Sequence, residues 1–186
     1  MFTKNEIRDL LISVFALALI FSSFNINLIL ITLFIVVIVF FSHEMSHKFL
    51  AQHYGCDAEY KMWPLGLFLG LITALIPGGF VIAAPGAVYI SPYKKKFAFR
   101  VARLTRKQYA LVSLAGPLIN IILAVSLLLL NFIYPFELFT LAASVSFLLA
   151  FFNLLPIPPM DGSKIMVWNF KMWLLVTAIA FVGLFI

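Results

Sequence analysis

The run INLILITLFIVVIVFF at 26–41 carries no charged residue, and SHEMSHKF follows it directly. Within hydrocarbon a backbone has no water to bond, so its N–H and C=O groups must be paired internally. A helix is the expected form, and it delivers two histidines and a glutamate to its far end. Ionisable groups at membrane depth cost roughly 2.5–3.5 kcal/mol each on insertion scales. Groups kept at that cost point to chemistry or transport.

The rest of the chain fits a membrane setting. Hydrophobic residues make up 64%, charged residues 11%, and mean hydropathy is +1.11. Soluble domains carry about 25% charged residues. The expected fold is an all-α polytopic membrane protein, with residues 1–186 as a single membrane domain. Cys56 is the one cysteine, which excludes an intramolecular disulfide and a multi-cysteine metal site.

Apolar runs of spanning length fall at 10–24, 26 to about 50, 109–134, 138–155 and 170–186. Lys4 and Arg8 before the first run resemble the start of a signal peptide, but Ala16 and Ala18 lie inside the apolar core, so a retained span is expected. A sixth apolar stretch, 64–90, is broken by Gly66, Gly70, Pro77, Gly78, Gly79, Pro85 and Gly86.

Charge decides how that stretch is read. Seven of the thirteen Lys and Arg fall in 94–107, and no acidic residue lies between Glu59 and Glu137. Basic loops stay cytoplasmic. With Lys4 and Arg8 inside, two spans return the chain to the cytoplasm at Lys48 and Lys61. The basic cluster then stays inside only if 64–90 does not cross. The expectation is five spans and a re-entrant, hairpin-like element at 64–90, since IPGGFVIAAPGAVYI joins β-branched residues to Pro-Gly and Gly-Gly turns. A sixth, kinked helix is the alternative. The basic stretch 94–107 reads as an interfacial segment held by anionic lipid. Nucleic acid is not an expected partner, because orientation already accounts for the charge.

His43 and His47 are one helical turn apart, with Glu44 between them. This H-E-x-x-H pattern can hold zinc on two imidazoles while the glutamate acts on a water. A catalytic zinc site needs a third protein ligand. His53 has no common spacing to the pair and reads as a surface residue. Asp161, in NLLPIPPMDGSK, is the better candidate: parity puts it on the same membrane face, and Pro156, Pro158 and Pro159 break the helix before it. A turn or helix-capping aspartate remains the other reading of Asp161.

HEMSH at 43–47, AGPLIN at 115–120 and NLLPIPPMDG at 153–162 resemble, in order and spacing, the three signature motifs of the site-2 protease family. The glycine pair in IPGGFV resembles that family's membrane re-entrant β element. Met160 departs from the commoner leucine before Asp-Gly. The match covers a catalytic core of about 26–164. It implies an intramembrane zinc metalloprotease acting on transmembrane protein substrates. It further implies His43, His47 and Asp161 as Zn2+ ligands and Glu44 as general base and then proton donor. Asn153 becomes a candidate to stabilise the oxyanion. Asn120 is a weaker polar candidate that could instead serve helix packing. The expected location is the cell membrane, with several passes and the amino terminus and site opening cytoplasmic. A membrane metal transporter and an inactive client-binding homologue are the rival readings. Hydrolysis requires Glu44; transport does not.

Overall fold

The structure is a computed structural model that describes residues 2–76, 84–91 and 103–186. Among these, helices dominate. Helix α1 spans Lys4–Phe21 and α2 spans Ile29–His53. Strand β1 (Asp57–Met62), helix α3 (Pro64–Ala74) and strand β2 (Gly86–Ser91) follow. Helices α4 (Arg106–Ile133), α5 (Glu137–Asn153), α6 (Asp161–Trp168) and α7 (Phe170–Gly183) complete the chain.

Among the described residues two helices, α2 and α4, are long and apolar enough to cross a membrane; α3, α5 and α7 are shorter apolar helices. At 1.5 Å per residue α2 is roughly 37 Å long, against about 30 Å of hydrocarbon. Helix α1 starts earlier than the apolar run, at Lys4, because the Thr3 side chain accepts from the Glu6 N–H at 3.1 Å and caps it. Helix α4 opens on a capping box between Thr105 and Gln108.

The segment read as one hairpin-like element divides differently. Residues 64–74 form α3, with Pro64 in the first turn, where its missing N–H costs nothing. Strand β2 finds its partner upstream. It pairs antiparallel with β1, Tyr60 opposite Val88 and Lys61 opposite Ala87, and the Trp63 N–H extends the ladder to the Pro85 carbonyl at 2.8 Å. The glycine pair Gly78–Gly79 and the basic residues 94–102 lie outside the described residues. Of the remaining basic stretch, Arg103, Arg106 and Lys107 are exposed.

Strand β1 reads DAEYKM, with polar and apolar residues alternating. Ala58 and Tyr60 are buried and Lys61 is exposed. Its edge away from β2 is closed by α1. The Tyr60 N–H donates to Glu6 Oε1 at 3.0 Å and the Met62 N–H to Asp9 Oδ2 at 3.2 Å. Thr3 donates its hydroxyl proton to the Glu59 carboxylate. Glu6 also accepts from Lys48 of α2, at 2.6 Å. One carboxylate therefore joins α1, the sheet and α2.

Two apolar clusters hold the helices. Leu17, Ile20, Val36, Phe40, Tyr60 and Leu149 join α1, α2, β1 and α5. Ile121, Ala124, Phe147, Ala150, Ile165 and Val176 join α4, α5, α6 and α7. Between α5 and α6 the chain leaves the helix over 154–160, where three prolines cannot continue one. The Trp173 indole N–H holds this segment through the Leu154 carbonyl at 2.7 Å. A Cβ on Gly162 would strike that same carbonyl, so only glycine can follow Asp161 here.

Candidate metal centre

Helix periodicity stacks His43 and His47 on one face of α2, with their Nε2 atoms 3.1 Å apart. Asp161, the first residue of α6, approaches from the far end of the chain. Its Oδ2 lies 3.1 Å from His47 Nε2 and 3.8 Å from His43 Nε2. The Asp161 carboxylate, at the start of α6, is turned to the histidines. Both histidines are buried, and Asp161 is half-buried.

The spacing of these three donors fits zinc. Tetrahedral zinc with bonds of about 2.0–2.1 Å places its ligand atoms roughly 3.3 Å apart. The observed 3.1, 3.1 and 3.8 Å bracket that value. Among the described residues these three form the one group of such side chains able to share an ion.

Each imidazole is held from behind. His47 Nδ1 donates to the Val112 carbonyl of α4 at 2.7 Å, which leaves the lone pair on Nε2 for metal. The Asn120 amide, also on α4, meets His43 Nδ1 at 3.1 Å. Its nitrogen faces the ring, and its buried Oδ1 has no hydrogen-bond partner. Turning the amide over presents that oxygen to an Nδ1–H, the tautomer that frees His43 Nε2. Helix α4 comes this close because residue 116 is glycine: a Cβ there would lie 2.7 Å from His43 Nε2 and collide with His47 Nε2.

A cavity of about 290 Å³ opens beside the three donors. Glu44 and Asn153 line it, and so do the β2 residues Ala87, Val88 and Tyr89. Glu44 is buried, and its Oε2 has no hydrogen-bond partner. A carboxylate oxygen in that state can accept a proton from a water in the cavity. Asn153 donates one Nδ2 proton to the Leu149 carbonyl at 2.9 Å, which leaves its second amide proton for the cavity. His53, the last residue of α2, is exposed and stacked edge-on against Tyr54, apart from the donors.

The structure thus brings His43, Glu44, His47, Asn153 and Asp161 to one cavity. It adds partners that sequence reasoning did not assign. Asn120 touches a histidine, where helix packing was an equal reading. Lys164 reaches Asp161 Oδ1 at 3.2 Å; its i, i+3 spacing from Asp161 was the available signal. The strand β1 was signalled by the strict alternation of DAEYKM.

The model of peptidase family M50 matches residues 31–136 and 130–177. A Methanocaldococcus jannaschii protein provisionally named zinc metalloprotease MJ0611 is 40% identical over 182 residues, covering 94% of this chain and 90% of its own. A Bacillus subtilis protein provisionally named zinc metalloprotease YwhC is 33% identical over 146 residues, covering 69% of this chain and 64% of its own. No solved structure matches the chain.

The family model and the names of both relatives support a zinc metalloprotease of a membrane-associated family, and the donor set fits that metal. The chain belongs to peptidase family M50, the site-2 protease family.

Proposed function

We propose that this chain is an intramembrane protease, which hydrolyses a peptide bond within or near a transmembrane segment of membrane-protein substrates. The observation that carries the reading is the meeting of His43, His47 and Asp161 beside the unpartnered Glu44 carboxylate, in one cavity at the end of an apolar helix.

His43, His47 and Asp161 would hold the zinc. When bound, zinc supplies Lewis acidity, lowering the pKa of a water and polarising the scissile carbonyl. Glu44 takes the proton of the attacking water and passes it to the leaving amine. Asn153 donates its free amide proton to the developing oxyanion.

A transmembrane substrate is helical and must be unwound before it can be cut. Strand β2 offers the means. Tyr60 and Met62 turn their N–H groups away from β2, so their opposite residues, Val88 and Gly86, turn theirs away from β1. That outer edge of β2 borders the cavity. An unwound substrate segment adds to it as a third strand, next to the zinc ligands.

The chain crosses the cell membrane in five or six passes, with the amino terminus and the cavity mouth on the cytoplasmic side. Lys4, Arg8, Lys48, Lys61 and the basic stretch 94–107 support this orientation. Anionic lipid is the partner of 94–107.

The test is zinc content and cleavage of a model transmembrane substrate in detergent, for wild type and Glu44→Gln. Zinc is retained in both, while cleavage falls by about 10²–10⁴-fold in the variant. Equal cleavage in both would remove Glu44 from the mechanism. Zinc bound by both with cleavage by neither would favour a metal transporter.

A further inference from the structure

We propose that Lys164 is a positioning residue for the metal centre: it holds Oδ1 of Asp161, so that Oδ2 alone is offered to zinc. The inference rests on the reading of Asp161 as a zinc ligand.

The two oxygens of Asp161 are chemically alike, but their surroundings differ. Oδ2 lies 3.1 Å from His47 Nε2 and 3.8 Å from His43 Nε2. Oδ1 lies 3.2 Å from the Lys164 ammonium. Asp161 and Lys164 share one face of α6, three residues apart. The ammonium also stands 5.7 Å from the centre of the Tyr109 ring on α4, within cation–π range. Lys164 is therefore braced against a second helix, and it does not swing freely in water: its side chain is 26% exposed.

A catalytic zinc site has three protein donors and one open position. A carboxylate free to turn about its Cβ–Cγ bond can offer both oxygens and fill that position. A charge-assisted hydrogen bond to one oxygen removes this option and fixes the direction of the other. An ordinary i, i+3 pair on a helix surface would instead add a little helix stability and leave the metal unaffected. The two roles differ in what they do to the ion.

The experiment compares wild type, Lys164→Met and Lys164→Arg, purified in detergent. It reads zinc affinity by competition with a chelator and the visible spectrum of the Co2+-substituted protein, whose intensity falls as coordination number rises. In Lys164→Met zinc binds about 10–100-fold more weakly, and the Co2+ bands weaken. Lys164→Arg restores both. Unchanged affinity and an unchanged spectrum in Lys164→Met overturn the inference and leave the metal centre standing. A wild type that yields no Co2+ spectrum overturns both. If Lys164→Met does not fold, Lys164→Ala carries the same two readouts, because it likewise removes the donor to Asp161 Oδ1.

Discussion

Gly116 of α4 lies so close to His47 of α2 that no Cβ fits between them; the same Cβ would stand 2.7 Å from His43 Nε2. The Pro117 that follows and the Asn120 one turn on belong to the same contact face, and all three are buried. Gly116→Ala must push α4 away from α2 or swing the imidazoles off their donor positions. The expected result is zinc affinity reduced by at least about tenfold, the lower end of losses on disturbing groups behind a metal ligand. Metal content after dialysis against a weak chelator checks it. Retained helicity would show that the loss is local.

The ion pair of Glu6 and Lys48 joins α1 to the helix that carries the histidines. Both side chains are buried, and the ammonium also faces the Phe2 ring at 4.2 Å. Removing one partner of such a pair costs about 3–5 kcal/mol, whereas replacing both with apolar groups is often close to neutral. Glu6→Ala is therefore expected to be much less stable than wild type in denaturant titrations in detergent. Glu6→Leu combined with Lys48→Met should recover part of the loss, the remainder being the Tyr60 N–H left without its acceptor. Additive losses in the double variant would show that the two residues are not coupled.

The strand-addition model makes a positional claim about β2. The Val88 N–H points away from β1 and toward the cavity side. Val88→Pro removes that donor and leaves the β1–β2 ladder bonds in place. Cleavage of a helical transmembrane substrate is expected to fall at least about tenfold, on the basis of one lost backbone bond of about 1 kcal/mol plus the steric cost of the ring. Zinc content should not change. Val88→Ala, which keeps the N–H and loses similar packing, is the control. If both variants cleave alike, the edge of β2 is not where substrate binds.

Much of the metal centre was legible because its information is local. HEMSH needs only the 3.6-residue period to place two imidazoles together, and the three prolines before Asp161 announce a break in the helix. What was not legible is long-range. The carboxylate of Glu6 binds a strand more than fifty residues away, and nothing at position 6 marks it as other than a first-turn acid. Asn120 and Gly116 stand out in the sequence only through the resemblance of AGPLIN to a family motif; which histidine each one meets appears only when α4 is laid against α2. The signal of strand β1 is local but short: Asp57, Glu59 and Lys61 alternate with Ala58, Tyr60 and Met62, the period of a half-buried strand. Within 64–90 the described residues hold α3 and β2, and the partner of β2 lies before α3, a pairing across the chain that no local turn signal marks.

The closure of β1 by Glu6 and Asp9 has a consequence for the protein as one molecule among many copies. A bare two-stranded sheet has two sticky sides, and in a crowded bilayer each invites pairing with the next chain. Here one side is occupied by carboxylates of the protein's own first helix, and the other looks inward on the zinc cavity. If substrate pairs with β2 as proposed, a second bare edge would leave the protein prone to capture its own kind. The edge that stays open is the one whose residues line the cavity.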